Sequence, residues 1–169
     1  MSSRRTLLTA AGAAVAAPLL TACGFELRKP PVFAFKSIAL AMPPSSSLTV
    51  ELRRQLEGTG SVKVITEAAE LPQAEVVLES PGEVRERIVV SVNANGEVRE
   101  LTLRIRLRFR LRTADGRELL PMTEISRQID QSYAESAALS KEQEGLMLYQ
   151  NMQSDIVQQV MRRLATVHL

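Results

Sequence analysis

The sequence is poor in the residues on which most catalytic and metal sites depend. Its 169 residues include one cysteine, one histidine and no tryptophan. The histidine, His168, stands almost at the end of the sequence, which excludes a histidine-based catalytic triad and a zinc cluster. A lone cysteine cannot form an internal disulfide, and there is no glycine-rich phosphate loop. We therefore expect a protein that is not an enzyme and that holds no metal.

Aromatic residues are also scarce, at 4% of the sequence. Their scarcity argues against surfaces that stack sugars or single-stranded nucleic acid. The full sequence has 21 basic and 19 acidic residues, but two of the arginines, Arg4 and Arg5, lie in an N-terminal leader. Without them the chain is formally neutral, so its composition gives no reason to expect nucleic acid as a partner.

Residues 1–22 have the pattern of a bacterial lipoprotein signal. A basic start is followed by an uncharged apolar run from Thr6 to Leu20, and then by Thr21 and Ala22 immediately before Cys23. We expect cleavage before Cys23 and a covalent lipid on its thiol, with no other cofactor. The lipid would hold the protein at a membrane surface.

Two features of the leader bear on the route and the destination. Arg4 and Arg5 fit a twin-arginine export signal, and they fit a plain Sec signal equally well. Gly24 stands after Cys23, where an aspartate would indicate retention in the inner membrane. We therefore expect the outer membrane.

The remaining sequence predicts a lipidated tether over residues 23–35 and one domain over residues 36–169. Hydrophobic periodicity predicts short strands at 36–41 and 62–65, a helix through Leu48, Leu52 and Leu56, long strands at 74–93, 98–113 and 118–133, and a long final helix. The first long strand contains Ser80-Pro81-Gly82, a possible bend. The fold class is α+β, with two helices packed on one face of a mainly antiparallel β-sheet.

The predicted helix ends and turns rest on short local signals. Ser45 to Ser47 offer N-caps for the first helix, and Ser140 with Gln143 has the pattern of a capping box for the last one. The apolar face of the last helix is Tyr149, Met152, Ile156, Val160, Leu164 and Val167. Asn95-Gly96 predicts a two-residue hairpin turn, and Ala114 to Gly116 a three-residue one.

The stretch Thr102 to Arg112, TLRIRLRFRLR, alternates arginines with large apolar residues. Because strand side chains alternate between faces, its leucines, isoleucine and phenylalanine should face the helices and its arginines should face outward. A two-residue turn at Asn95-Gly96 would place Arg104 opposite Arg87 and Arg106 opposite Arg85.

On the other flank, a turn at Ala114 to Gly116 would place Arg112 opposite Glu118 and Arg106 opposite Glu124. The predicted outer face is therefore basic along its middle. It would carry a cluster of five arginines, namely Arg85, Arg87, Arg104, Arg106 and Arg108. Such a cluster suits a phosphate-bearing ligand or a polar partner, because the guanidinium donates two parallel bonds. A solvated face is the alternative.

The start of the mature chain, Cys23-Gly24-Phe25-Glu26-Leu27-Arg28, resembles that of the LPS-assembly lipoprotein LptE family. The order of later elements, including the Asn95-Gly96 hairpin and Ala138 to Lys141 before a long helix, is also similar to that family. The resemblance covers nearly all of residues 23–167. It implies a lipoprotein that binds lipopolysaccharide and acts as a plug and assembly partner inside an LptD-like outer-membrane β-barrel.

The resemblance also implies particular ligand contacts. A lysine before the family's last helix falls on Lys141, which implies a lipopolysaccharide contact there; merely following an N-cap is the alternative. A second basic residue of the family aligns near Ala94, where this sequence has none, and Arg99 or the arginine cluster is a possible substitute. Two other functions remain open: a scaffold lipoprotein of another envelope complex that binds only protein, and a periplasmic hydrolase using Glu142 or Glu144.

Overall fold

The computed structural model describes residues 31–169, which form two α-helices and six strands. The helices are α1 (Ser47–Gly58) and α2 (Ala138–Ala165). The strands are β1 (Ser37–Ala41), β2 (Lys63–Ile65), β3 (Val76–Glu79), β4 (Glu83–Val92), β5 (Val98–Thr113) and β6 (Glu118–Ser132). Short 3₁₀-helices span Ala68–Gln73 and Glu135–Ala137. The α+β class is confirmed, and neither helix is long and apolar enough to cross a membrane within these residues.

The sheet is mixed, with β5 at its centre. β6 pairs antiparallel with one side of β5, while β3 and β4 pair antiparallel with different parts of its other side. The predicted bend at Ser80 to Gly82 separates these two strands, and Gly82 has a φ of 104°, which favours glycine. β1 is parallel to both β3 and β2. The short parallel part is the addition that the sequence analysis did not predict.

The two helices cover one face of the sheet, and the main core lies between the helices and that face. The predicted first helix is confirmed: the Ser46 hydroxyl accepts a hydrogen bond from the Thr49 amide at 3.2 Å, and the helix's leucines are buried. β5 contributes Leu103, Ile105, Leu107, Phe109 and Leu111, all buried. Each large apolar side chain buried in this way stabilises the fold by about 1.5–3 kcal/mol. Phe35, which the sequence analysis placed in the tether, is 1% exposed in this core.

The start of the last helix differs from the prediction. The helix begins at Ala138, and its N-cap, Ala137, makes no side-chain capping bond. Ser140 lies inside the first turn, where its hydroxyl donates to the Ala137 carbonyl at 2.9 Å. The predicted capping box of Ser140 and Gln143 is therefore wrong. The predicted apolar face is confirmed for Met152, Ile156, Val160 and Leu164, which are buried, and for Tyr149, which is half-buried. Val167, predicted on the same face, is buried but lies after the helix, which ends at Ala165.

The predicted pairing of β4 with β5 is wrong by one residue. The hairpin loop is Ala94 to Gly96, closed by a bond from the Asn93 amide to the Glu97 carbonyl. The Asn93 side chain accepts from the amides of Asn95 and Glu97 and fixes this longer loop. Because side chains alternate, a slip of one residue moves every side chain of β4 to the opposite face.

The corrected register separates the predicted arginine cluster. Arg104 pairs with Glu86 and Arg106 with Val84, while Arg85 and Arg87 pair with the core residues Ile105 and Leu103. Two of the five clustered arginines therefore lie on the helix-covered face. The predicted placement of arginine opposite arginine is therefore wrong for this pair of strands.

On the other flank, the register is right near the turn and shifts farther along. Arg112 pairs with Glu118 as predicted, but two irregularities in β6 around Pro121 shift the pairing by two residues. Proline lacks the amide hydrogen that a regular ladder needs, which suits it to such a position on an edge strand. Arg108 therefore pairs with Glu124, Arg106 with Ser126 and Arg104 with Gln128. A shift of two preserves the faces, but the predicted pairing of Arg106 with Glu124 is wrong, because Glu124 lies opposite Arg108.

Candidate ligand-binding surfaces

The outer arginine row consists of Arg104, Arg106, Arg108, Arg110 and Arg112, on the face of β5 opposite the helices. The alternation of β5 produces it, because the intervening apolar residues are all in the core. The described chain covers only one corner of this outer face. There Leu71 of the 3₁₀-helix packs against a small second cluster of Ala39, Ile65, Ala74 and Val77. The arginine side chains remain partly or fully exposed.

Two carboxylates neutralise most of the row. Glu86 lies between two guanidinium groups, 2.5 Å from Arg106 and 3.6 Å from Arg104. Glu79 repeats the arrangement with Arg110 at 2.5 Å and Arg112 at 2.6 Å. Burial alone would raise the pKa of Glu79, but the hydrogen bonds and charges of these two arginines outweigh it and hold that pKa below its ordinary value.

Arg108 is the exception in the row. No carboxylate among residues 31–169 comes within 4.0 Å of its guanidinium, although Glu124 is its cross-strand neighbour. Beside it, the Nε of Arg106 is buried and has no hydrogen-bond partner in the described chain. Both side chains line a small cavity of 170 Å³ together with Gly82, Val84 and the acidic residue Glu124. The centre of the row therefore has donors without protein partners, where an anion would find two guanidinium groups beside the single carboxylate of Glu124.

Arg85 belongs to the packing between the helices and the sheet. Its guanidinium donates to the Ser47 hydroxyl at 2.8 Å and to the Gln153 side-chain oxygen at 2.9 Å, and it lies 5.5 Å from the centre of the Tyr149 ring. These bonds join β4 to both helices. The Tyr149 hydroxyl also donates to the Glu86 carbonyl at 2.6 Å.

Arg87 bonds to the start of α2. Its guanidinium donates to Glu142 at 2.8 Å, and this hydrogen bond raises the pKa of Arg87 and lowers that of Glu142. Both side chains are well exposed, so the pair adds little to stability. Their bonds occupy Arg85 and Arg87 within the domain; a ligand contact by either stays a prediction.

Lys141 is held where the end of β6 meets the start of α2. Its ammonium donates to Glu144 at 2.8 Å and to the Ser132 hydroxyl at 3.1 Å, and its side chain is 22% exposed. The side-chain amide of Gln131 donates to the backbone carbonyl of Lys141 at 2.8 Å. The hydrogen bond from Lys141 lowers the pKa of Glu144. Lys141 is thus fixed by its neighbours yet still reachable from solvent.

Of the remaining predicted site residues, Arg99 lies within the described part of the chain and Cys23 lies outside it. Arg99 lies near the β4–β5 loop, 3.4 Å from Glu97. Cys23 and residues 1–30 lie outside the described residues. Among residues 31–169, no group of three His, Cys, Asp or Glu side chains is arranged to hold a metal ion.

The two carboxylates that neutralise the row are not among the sequence-predicted site residues. The predicted register places Arg87, and not Glu86, opposite Arg104, and no sequence pattern singles out Glu79. The sequence signal for Glu86 is its position next to Arg85: the two side chains lie on opposite faces of the strand, so one of them must face outward. Only the length of the hairpin loop decides which of them faces Arg104.

Comparison with known proteins gives a family and a fold. A family model described as LptE, lipopolysaccharide-assembly, matches residues 35–164. No curated protein matches the chain. Lipoprotein B from Nitrosomonas europaea is similar in structure, with 29% identity and a TM-score of 0.69 over 84% of this chain and 90% of that one.

Two further structures agree in fold. Rare lipoprotein B from Shewanella oneidensis has 22% identity and a TM-score of 0.64, covering 78% of this chain and 95% of that one. A minor lipoprotein from Acinetobacter baumannii has 16% identity and a TM-score of 0.61, covering 79% and 93%.

Proposed function

The chain belongs to the LptE family of lipopolysaccharide-assembly lipoproteins, and from this premise we propose that it binds lipopolysaccharide in the outer membrane as plug and assembly partner of an LptD-like β-barrel. The observation that carries the proposal is the family match over residues 35–164. The proposed role is binding and positioning, without catalysis.

The leader supports the proposed location. A lipid on Cys23 would attach the domain to the membrane through residues 24–30, and Gly24 favours the outer membrane. The similar structures from Nitrosomonas and Shewanella are themselves described as lipoproteins. Cell fractionation of the Cys23→Ala variant in cells that lack the barrel tests this anchor: we expect the protein to leave the membrane fraction.

The outer arginine row supports the proposed ligand. Lipopolysaccharide carries phosphate groups, and a planar guanidinium donates two parallel bonds to a phosphate. Arg106 and Arg108 are the first candidates. The Arg106 Nε lacks a hydrogen-bond partner within the described chain, and no carboxylate of residues 31–169 lies within 4.0 Å of the Arg108 guanidinium. Arg104 is third, since its ion pair with Glu86 is long at 3.6 Å. Lys141 provides a separate contact at the start of α2, carried over from the family.

A protein-only scaffold remains the second candidate, and one observation favours it. Four of the five arginines in the row already have a carboxylate partner within 4 Å. A face so neutralised also suits the polar wall of a partner protein. The two functions differ in whether purified lipopolysaccharide binds to the protein alone.

The deciding experiment measures binding of purified lipopolysaccharide to the protein at increasing salt. We expect saturable binding that weakens with salt, and that weakens about tenfold in Arg108→Gln and in Lys141→Asp, because each removes a charged hydrogen bond. Arg162→Gln is the matched control, with the same charge change on an exposed residue of α2. The absence of saturable binding would support the protein-only scaffold. Equal losses in Arg108→Gln and Arg162→Gln would show that binding depends on overall charge and would contradict a contact at Arg108.

The barrel partnership needs its own test. We expect the protein to co-purify from outer membranes with a large β-barrel protein, and its depletion to reduce lipopolysaccharide at the cell surface. Unchanged surface lipopolysaccharide after depletion would contradict the proposal.

A further inference from the structure

The three parallel strands end together beside a cavity that the proposed function does not use. β1, β2 and β3 are followed by Met42, Thr66 and Ser80, and all three of these residues line the cavity. After β1 the chain passes to α1 on the helix-covered face. After β2 it passes to the 3₁₀-helix Ala68–Gln73, which packs on the opposite face through Leu71. Two connections that leave neighbouring parallel strands on opposite faces open a crevice at the carboxyl ends, which is where such sheets bind ligands.

The cavity is small and mostly apolar. Its volume is 340 Å³, at the lower end of the roughly 300–1,000 Å³ that small-molecule pockets span. Its apolar wall is formed by Leu40, Met42, Pro44, Val50 and Leu71. The volume suits one short alkyl chain and excludes the several acyl chains of a complex lipid.

The residues that line the cavity include one charged side chain, and its charge is positive. Arg53 lines the cavity, and within residues 31–169 its guanidinium makes no hydrogen bond and has no carboxylate within 4.0 Å. No acidic residue is among the lining residues. Thr49, 5% exposed, has a buried hydroxyl without a partner in the described chain, and the Ser80 hydroxyl accepts only the Gly82 amide. An uncompensated cation beside an apolar cavity calls for a ligand with one negative charge.

We propose that this cavity binds a single-chain amphiphile with one anionic head group, its head on Arg53 and its alkyl chain against Met42, Val50 and Leu71. The shared chemistry is an alkyl chain that ends in a carboxylate or a phosphate. The site is independent of the proposed lipopolysaccharide contacts, because its lining includes neither Lys141 nor any residue of the outer arginine row.

Isothermal titration calorimetry tests the proposal with four ten-carbon probes, each below its micelle concentration: decanoate, decyl phosphate, decanol and decyltrimethylammonium. The protein is the full chain with Cys23→Ser, which removes the predicted lipid acceptor. We expect decanoate or decyl phosphate to bind with one-to-one stoichiometry, and the stronger of the two identifies the head group. Decanol and the cationic probe should bind at least about tenfold more weakly, because neither offers an anion to Arg53. Equal binding of all four probes, or no saturable binding, would overturn the proposal.

Substitutions locate the site. Arg53→Gln should weaken the anionic probe about tenfold or more and leave decanol unchanged, and Arg53→Lys should recover part of the loss. Arg54→Gln is the matched control, since it removes the same charge one residue along α1 and outside the cavity. Val50→Trp, at a position 41% exposed on the cavity rim, should abolish binding of every probe by filling the space. Equal losses in Arg53→Gln and Arg54→Gln, or full binding in Val50→Trp, would contradict this placement.

Discussion

Replacing Glu86 with glutamine should make the fold weaker and the binding of lipopolysaccharide stronger. Glu86 is 29% exposed and holds Arg106 at 2.5 Å and Arg104 at 3.6 Å. Partly exposed ion pairs each contribute about 0.2–1 kcal/mol, and the second distance is long. We therefore expect the free energy of unfolding to fall by about 1 kcal/mol, which corresponds to a melting temperature about 2–4 °C lower for a chain of this size.

The same change frees donors at the proposed phosphate position. The Glu86 carboxylate competes with a phosphate for Arg106, and its removal adds one net positive charge to the centre of the row. A net hydrogen bond contributes about 0.5–1.5 kcal/mol, so the affinity for lipopolysaccharide should rise about two- to tenfold, with a steeper dependence on salt. The assays are urea unfolding followed by circular dichroism, and equilibrium binding at several salt concentrations.

Glu79→Gln is the matched control for Glu86→Gln. Glu79 is 23% exposed and forms ion pairs with Arg110 and Arg112. Its replacement should therefore lower the free energy of unfolding by a similar amount. Its removal should not raise the affinity if the ligand lies at Arg106 and Arg108. A folded Glu86→Gln protein with unchanged or weaker binding would contradict a phosphate position at Arg106. Equal gains in both variants would instead assign binding to the overall charge of the row.

Three further predictions concern the fold. Gly145→Ala should stabilise the protein by up to about 1 kcal/mol in urea unfolding, because α2 loses a flexible residue. The new methyl group would lie 3.5–3.6 Å from its nearest neighbours, an ordinary contact distance. A loss of stability would show that the helix must approach the sheet more closely. Leu103→Ala, at the fully buried centre of β5, should cost about 2–5 kcal/mol by thermal or urea unfolding, and a cost below 1 kcal/mol would contradict its place in the core. Because the pKa of Glu79 is lowered, its ion pairs stabilise the fold fully above the ordinary pKa of 4.5 and lose this effect as the pH falls through the lower folded-state pKa. The difference in unfolding free energy between wild type and Glu79→Gln should therefore shrink on acidification. A difference that grows would contradict a lowered pKa of Glu79.

The long strands could be predicted because their alternation is long. Apolar and polar residues alternate strictly over most of Val98–Thr113, and this strand has the predicted bounds in the structure. The short strands β1, β2 and β3 have three to five residues each, too few for a pattern to reveal a partner or a direction. Their parallel pairing depends on packing across the sheet, which local sequence does not specify.

The candidate site shows the same limit more sharply. The outward direction of Arg104, Arg106 and Arg108 follows from β5 alone and is as predicted. The placement of Arg85 and Arg87 required the register of a neighbouring strand, and that register depended on the side chain of Asn93. The cavity at Arg53 was not predicted, because the residues that line it lie on four separate segments of the chain.

Two of the edge strands of the sheet, β4 and β6, have different consequences for the solubility of the protein. Along β6, Pro121, two register irregularities and several charged residues oppose the addition of another strand. Among the described strands, β4 pairs only with β5. Its stretch Ile88 to Val92 has neither charge nor proline, and Val89, Val90 and Val92 are 53–57% exposed. Such a stretch is a template for cross-β aggregation. When the protein is concentrated without its natural surroundings, assembly into fibrils should therefore begin at β4, and a lysine in place of Val90 would be the simplest protection.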